Sequence, residues 1–156
     1  MKNQLLHTPE GVRDIYNEEC EKKLELQDRL HKALKRHGYH SIQTPTFEFF
    51  DIFGKEVGTI PSNELYKFFD REGNTLVLRP DITPSIARSA AKYFMDEDMP
   101  IRLSYMGNTF INNHSYQGRL KESTQLGAEL IGDDTVDVVY RYAEVLLINA
   151  EAHAEL

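Results

Sequence analysis

From Tyr105 to Gly132 the chain reads YMGNTFINNHSYQGRLKESTQLGAELIG. The segments 102–110 and 122–130 have the composition of strands, and the residues between them are polar. Two such runs joined by a polar loop are typical of a pair of antiparallel strands. Gln125 and Glu129 lie four positions apart on the second strand, so a period of two places them on the same face.

The rest of the chain supplies helices and short strands around this pair. Asn17 is a candidate N-cap for a helix over about 18–37, which Gly38 ends. Thr83 is predicted as the N-cap of a second helix that runs to about Phe94, with Pro84 at its first position. The remaining predicted elements are a short strand over 39–44, a hairpin of 65–69 with 75–78 around a turn at 70–74, and a last helix over about 135–154.

Hairpin connections dominate this order of elements, and strands and helices do not alternate regularly. The pattern favours an α+β fold, an antiparallel sheet flanked by helices, over a doubly wound parallel sheet. At 156 residues, the chain is within the size range of one domain, so residues 1–156 are predicted to form a single domain.

Composition narrows the class of protein. The net charge of −7 argues against non-specific binding of nucleic acid. Cys20 is the one cysteine, which excludes a disulfide within the chain and fits a reducing compartment. The sequence has no apolar run of membrane-spanning length and no secretory leader pattern, so a cytoplasmic protein is expected. No metal-ligand spacing, phosphate-binding loop or nucleophile–base pair is visible, and no catalytic residue, metal or cofactor is predicted.

Three segments, in order, resemble the motifs of class II aminoacyl-tRNA synthetases of the histidyl type. Residues 38–48 resemble the first motif, a helix that leads into a strand with a proline. Leu78-Arg79-Pro80-Asp81-Ile82-Thr83 resembles Leu-Arg-Pro-Glu-Gly-Thr of histidyl-tRNA synthetases, and residues 105–132 resemble the second motif. The resemblance implies a class II synthetase-like domain that is incomplete, because the third motif has no counterpart. The chain is therefore expected to be the N-terminal portion of a longer architecture.

The chain is also similar to the regulatory subunits of ATP phosphoribosyltransferase, which are paralogues of histidyl-tRNA synthetase. The similarity lies in residues 78–84 and in Gly118-Arg119 followed by Glu122 and Gln125. It implies a non-catalytic subunit that serves the first step of histidine biosynthesis. Its partners would be the short-form catalytic subunit and L-histidine, the feedback effector, in a hetero-oligomer.

The residues of the second motif separate these two readings. Where synthetases have Phe-Arg-x-Glu, this chain has Phe110-Ile111-Asn112-Asn113. Adenylate formation needs positive charge at the α-phosphate, which Ile111 cannot supply. Regulation is therefore favoured over the alternative, a fragment of a histidyl-tRNA synthetase that activates histidine and aminoacylates tRNA. A binding or scaffold module that uses the fold only to dimerise is a third reading.

The resemblance implies which residues hold histidine. Asp81, Thr83 and Gln125 match positions that contact the α-amino group, and Glu129 matches the position that contacts the imidazole. An ammonium group needs such oxygen acceptors. The alternative is that Glu129 is a solvated carboxylate and Gln125 a surface residue, with Asp81 only a turn or cap residue.

Other residues have open or weaker assignments. Arg119 is a candidate contact for a phosphate or another anion, and Lys121 is more simply read as a solvated loop residue. Arg79 either pairs with a nearby carboxylate or forms part of the pocket wall. The first helix and the aromatic segment Phe47–Phe53 are the candidate homodimer surface.

Overall fold

The computed structural model describes residues 6–53, 60–113 and 120–132. Within these ranges lie two helices and six strands. In chain order they are α1 (Asn17–Arg36), β1 (His40–Ser41), β2 (Phe47–Phe49), β3 (Lys67–Phe69), β4 (Thr75–Leu78), α2 (Thr83–Tyr93), β5 (Ile101–Phe110) and β6 (Glu122–Ile131). The helix predicted over 135–154 lies outside the described residues.

The larger of two sheets contains the strand pair predicted first. Strands β5 and β6 are antiparallel over ten residues each, from Ile101 opposite Ile131 to Phe110 opposite Glu122. Strand β1 adds to the other edge of β5 in parallel, so the sheet order is β1-β5-β6. The prediction of an α+β fold is confirmed, although this sheet is mixed, because β1 pairs with β5 in parallel.

The second sheet has the order β2-β4-β3, and both of its pairings are antiparallel. Strands β3 and β4 form the predicted hairpin. Its turn is closed by Asp70, whose Oδ1 accepts hydrogen bonds from the backbone N–H groups of Glu72 (3.0 Å) and Asn74 (2.8 Å). Such local bonds are the reason aspartate is common in turns.

The main core lies between α2 and the larger sheet. Ile82 and Ile86 pack against Leu103 and Tyr105 of β5, and all four are at most 6% exposed. This packing places the start of α2 directly over the face of the sheet that carries Gln125 and Glu129. No helix in the described part of the chain is long and apolar enough to cross a membrane.

Both predicted N-caps are wrong. Helix α1 begins at Asn17 itself, which has a positive φ of 50°, and no side chain caps it. Helix α2 begins at Thr83 after Ile82, again without a side-chain cap, and Pro84 is in its first turn. The Thr83 hydroxyl instead donates a hydrogen bond to Glu129, a stronger acceptor because it is a carboxylate.

The candidate dimer surface is only partly exposed. Phe53 is 4% exposed and belongs to the core of the chain itself, together with Leu65 and Val77. Phe47 and Phe49 on β2 are 50% and 56% exposed, and no residue of α1 is buried. Within the candidate dimer surface, the exposed large apolar side chains are therefore Leu24 and Leu26 on α1 and Phe47 and Phe49 on β2, and Phe53 is not among them.

The end of α1 supplies a prediction about stability. Gly38 has φ +80°, and its N–H donates to the carbonyl of Lys35 at 3.1 Å. Because a Cβ in the left-handed region is strained, Gly38→Ala is expected to lower the free energy of unfolding by about 1 kcal/mol. Urea denaturation followed by circular dichroism measures this. Gly132→Ala is the control, since a Cβ there meets no atom of the described residues within 4 Å; an equal loss in both variants would contradict the prediction.

Candidate functional site

Asp81 and Gln125 face each other between the start of α2 and the middle of β6. The amide Nε2 of Gln125 donates to Asp81 Oδ1 at 3.0 Å, and its Oε1 accepts from the backbone N–H of Ile82 at 3.0 Å. The same Asp81 oxygen accepts from the backbone N–H of Thr83 at 3.2 Å. These bonds fix the orientation of the Gln125 amide. Asp81 thus also has the turn role that the sequence suggested.

Glu129 is the most deeply buried member of the site, at 4% exposure. Its Oε1 accepts hydrogen bonds from the Thr83 hydroxyl (2.9 Å) and from the Tyr105 hydroxyl (3.0 Å). The interpretation of Glu129 as a solvated carboxylate is therefore wrong. The hydrogen-bonded register of β5 and β6 places it on the face covered by α2, away from water.

Thr83 connects the two halves of the site. Its backbone N–H contacts Asp81 and its hydroxyl contacts Glu129, so both carboxylates are held around one residue at the start of α2. Two carboxylates and an amide oxygen form an acidic, acceptor-rich surface. Such a surface suits a cationic ligand that donates hydrogen bonds, such as an ammonium or an imidazole N–H.

Tyr105 is the site residue that sequence reasoning missed. Its hydroxyl lies 3.2 Å from the Thr83 hydroxyl and donates to Glu129. Burial, together with the negative charge of Glu129, raises the pKa of the Tyr105 phenol above its usual range, so it remains a donor at neutral pH. A signal was present in the sequence: Gly127, between Gln125 and Glu129 on the same face, leaves room for a large side chain.

The ring of Tyr105 occupies the space above Gly127. These two residues are directly opposite each other in the β5–β6 register. A Cβ on Gly127 would lie 2.5 Å from the Tyr105 Cζ and hydroxyl oxygen, closer than van der Waals contact allows. Glycine at 127 is thus a condition for the Tyr105–Glu129 hydrogen bond.

The structure brings together all four residues that the resemblance indicated for histidine, and it adds Tyr105. Arg119 lies outside the described residues. Lys121 is half-buried rather than fully solvated: its backbone N–H donates to the carbonyl of Gly11 at 2.6 Å, and its side-chain stem lies against Gly11.

The segment that departs from the synthetase motif follows β5 directly. The backbone N–H of Ile111 donates to the carbonyl of Lys121 at 2.9 Å, and that of Asn112 donates to the carbonyl of Glu64 at 2.8 Å. Neither Ile111 nor Asn113 carries a positive charge. Among the described residues, no group of three His, Cys, Asp or Glu side chains could hold a metal ion.

Comparison with known proteins agrees with this geometry. The family model "Histidyl-tRNA synthetase" matches residues 11–156. A protein of Acetivibrio thermocellus named ATP phosphoribosyltransferase regulatory subunit is 47% identical over 130 residues, which are 83% of this chain and 31% of that relative. One of the same name from Clostridium novyi is 39% identical over 150 residues, 96% of this chain and 35% of that relative. The chain thus spans about a third of the length of these curated relatives.

Solved structures give the same result for the fold. A structure from Bacillus halodurans C, described as an ATP phosphoribosyltransferase regulatory subunit/histidyl-tRNA synthetase, is 40% identical with a TM-score of 0.73 and covers 84% of this chain and 34% of its own. Histidyl-tRNA synthetase of S. aureus is 28% identical with a TM-score of 0.66, covering 96% and 34%. The chain therefore belongs to the histidyl-tRNA synthetase family.

Proposed function

We propose that this chain is the N-terminal portion of a non-catalytic regulatory subunit of ATP phosphoribosyltransferase, and that residues 1–156 form one class II synthetase-like domain within it. The partner would be the short-form catalytic subunit in the cytoplasm, and the effector would be L-histidine. The names of the relatives at 39–47% identity support this assignment. The hydrogen-bonded group of Asp81, Thr83, Gln125 and Glu129, in which Thr83 and Glu129 are buried, is the observation that carries it.

In this proposal histidine sits against the start of α2 and the middle of β6. Asp81 and the oxygen atoms around it receive the α-ammonium group, and Glu129 receives an imidazole N–H. Asp81 is one methylene shorter than the glutamate of the synthetases, so the ammonium lies closer to the α2 start or contacts Asp81 through water. The hydroxyls of Thr83 and Tyr105 hold Glu129 in place before the ligand arrives.

Feedback requires more than binding. Histidine shifts the assembly toward its inhibited state only if its affinity differs between the active and inhibited states. The start of α2 is a suitable element for this difference, because Thr83 contacts both carboxylates and lies one residue after Ile82 in the core. A small movement of α2 would change both contacts together.

Loss of synthetase activity follows from residues 111–113. With Ile111 in place of the arginine and Asn113 in place of the glutamate, positions 111 and 113 supply no cation for an α-phosphate. Loss of one such electrostatic donor typically slows a reaction by about 100- to 1,000-fold. Histidine activation is therefore not the expected activity, and the site is one for sensing.

We also propose a homodimer through α1 and the exposed part of the Phe47–Phe53 region. Phe47 packs edge-to-face on Phe68, with ring centroids 5.7 Å apart, and still remains 50% exposed. Large aromatic side chains that are ordered by a neighbouring ring but remain half exposed are typical of protein interfaces. Sedimentation of the full-length protein measures the assembly.

An activity assay tests the regulatory function. Full-length protein mixed with a short-form catalytic subunit is expected to show phosphoribosyl transfer that histidine inhibits. The double variant Asp81→Ala, Glu129→Ala should keep the transfer and lose the inhibition. If the mixture stays inactive and histidine-dependent ATP–pyrophosphate exchange appears, the protein is a synthetase. A scaffold would show neither transfer nor exchange and would not bind histidine.

A further inference from the structure

Arg79 is a buried cation that the proposed histidine site does not use. It lies at the end of β4 and is 6% exposed. Its Nε donates to the carbonyl of Asn108 at 2.8 Å, and its Nη1 donates to the carbonyls of Thr44 (2.9 Å) and Pro45 (3.1 Å) and, at 3.4 Å, to the Thr44 hydroxyl. All of these acceptors are neutral oxygens.

Arg79 forms no ion pair with a carboxylate in the described part of the chain. No carboxylate there lies within the 4.0 Å of an ion pair, and the carboxylate that acts on it from further away, Glu48, is bonded to Arg88 at 2.7 Å. Burial lowers the pKa of Arg79, and attraction to Glu48 offsets only part of this effect. Buried charges in proteins are normally paired, so Arg79 has capacity for an anion.

One nitrogen of the guanidinium remains unused. None of the hydrogen bonds of Arg79 in the described structure involves Nη2. This nitrogen lies over Gly107, where any Cβ would collide with it. Glycine at 107 therefore lets the guanidinium reach across β5.

Arg79 lines an open cleft of about 210 Å³ between β5 and the segment that follows β1. The surface that faces the cleft is mainly polar. Ile42, Ile82 and Tyr105 are among its lining residues, and Gln43 and Thr46 stand at its edge. None of Asp81, Thr83, Gln125 or Glu129 lines it. This volume suits a ligand of a few heavy atoms, since drug-sized ligands occupy about 300–1,000 Å³.

We propose that this cleft binds a small organic carboxylate, with Arg79 Nη2 as the charged donor. A single available nitrogen and a single positive charge match one carboxylate. A phosphate would need more donors than this cleft presents. The carboxylate belongs either to a free metabolite or to a neighbouring protein chain, and the two sources have different consequences.

Butyrate is the probe, and butyramide is its neutral counterpart of nearly the same shape. With the full-length protein, butyrate is expected to raise the midpoint of thermal unfolding by about 2 °C or more relative to chloride at equal ionic strength. Butyramide should give no rise. Arg79→Gln should abolish the butyrate effect, while Arg102→Gln, which removes an exposed arginine from β5, should keep it.

A second variant tests the cleft without changing Arg79, in case Arg79→Gln does not fold. Thr46 is exposed at the edge of the cleft, so Thr46→Trp fills the space and leaves Arg79 in place. It too should abolish the butyrate effect. If butyrate has no effect but both cleft variants reduce the mass of the assembly, the carboxylate comes from a neighbouring chain.

Three results would overturn the proposal. The first is an unchanged midpoint in butyrate together with an unchanged mass in both variants. The second is an equal effect of butyrate and butyramide, which would show that the charge of the ligand plays no part in its binding. The third is loss of the butyrate effect in saturating histidine, which would make the cleft an extension of the histidine pocket instead of a separate site.

Discussion

Replacing Glu129 by glutamine is expected to weaken histidine binding by the full-length protein about 10- to 100-fold, as measured by isothermal titration calorimetry. Glutamine has nearly the shape of glutamate, and its oxygen can still accept from the Thr83 and Tyr105 hydroxyls. It lacks the charge, however, and it presents an NH₂ group where the carboxylate accepts. The fold should survive and the affinity should fall.

The control for this variant is Glu122→Gln, on the same strand but at its far end, where the carboxylate accepts from Asn108 Nδ2 at 2.7 Å. It should leave histidine binding unchanged. Glu129→Ala should cost stability as well as affinity, because the buried Thr83 and Tyr105 hydroxyls lose their common acceptor. Unchanged binding in Glu129→Gln would show that this carboxylate does not contact histidine.

The sequence was sufficient for the strands that carry the site. A long strand pair with a buried face has a strongly specified register, because a slip by one residue would turn every side chain to the other face. The placement of Gln125 and Glu129 on the same face of β6 follows from the two-residue periodicity of a strand alone. The segment boundaries at Phe110 and Glu122 were predicted correctly for the same reason.

Contacts between segments that are distant in the chain could not be predicted from periodicity. Thr83 has the residue type and position of an N-cap, yet its hydroxyl bonds to Glu129, 46 residues away. A tertiary acceptor of higher charge outweighs the local preference. Tyr105 was missed for a related reason, since its role depends on which residue it meets across the sheet.

The sequence allows two interpretations of Arg79, an ion pair with a nearby carboxylate or part of the pocket wall, because a sequence shows charge but not distance. The structure removes one of them, since no described carboxylate pairs with it in an ion pair. The hydrogen bonds of Arg79 join the segment after β1 to β5, and Arg79 lies two residues before Asp81 in the chain. Residues 79–83 thus contribute to both places, Arg79 and Ile82 to the cleft and Asp81 and Thr83 to the proposed histidine site.

The Tyr105 hydroxyl contacts Thr83 at the end of that stretch. Because the Tyr105 ring lies against Gly127, a larger residue at 127 should disturb the histidine site. Gly127→Ala is expected to lower the free energy of unfolding by about 1–3 kcal/mol, because the added Cβ forces the Tyr105 ring to move. It should also weaken histidine binding about 10- to 100-fold, since Glu129 loses a hydrogen bond that holds the carboxylate in place. Urea denaturation and titration calorimetry on the full-length protein measure the two effects.

Gly132→Ala is again the matched control. It lies one residue past the end of β6, and a Cβ there has no neighbour within 4 Å in the described part of the chain. It should change neither stability nor binding. Loss of stability in Gly127→Ala with normal histidine affinity would mean that Tyr105 only fills the core. Adding Tyr105→Phe to Gly127→Ala should not restore histidine affinity, because phenylalanine lacks the hydroxyl that donates to Glu129. The expected pattern is that Tyr105→Phe alone lowers affinity and that Gly127→Ala adds little to it, since both changes remove the same hydrogen bond.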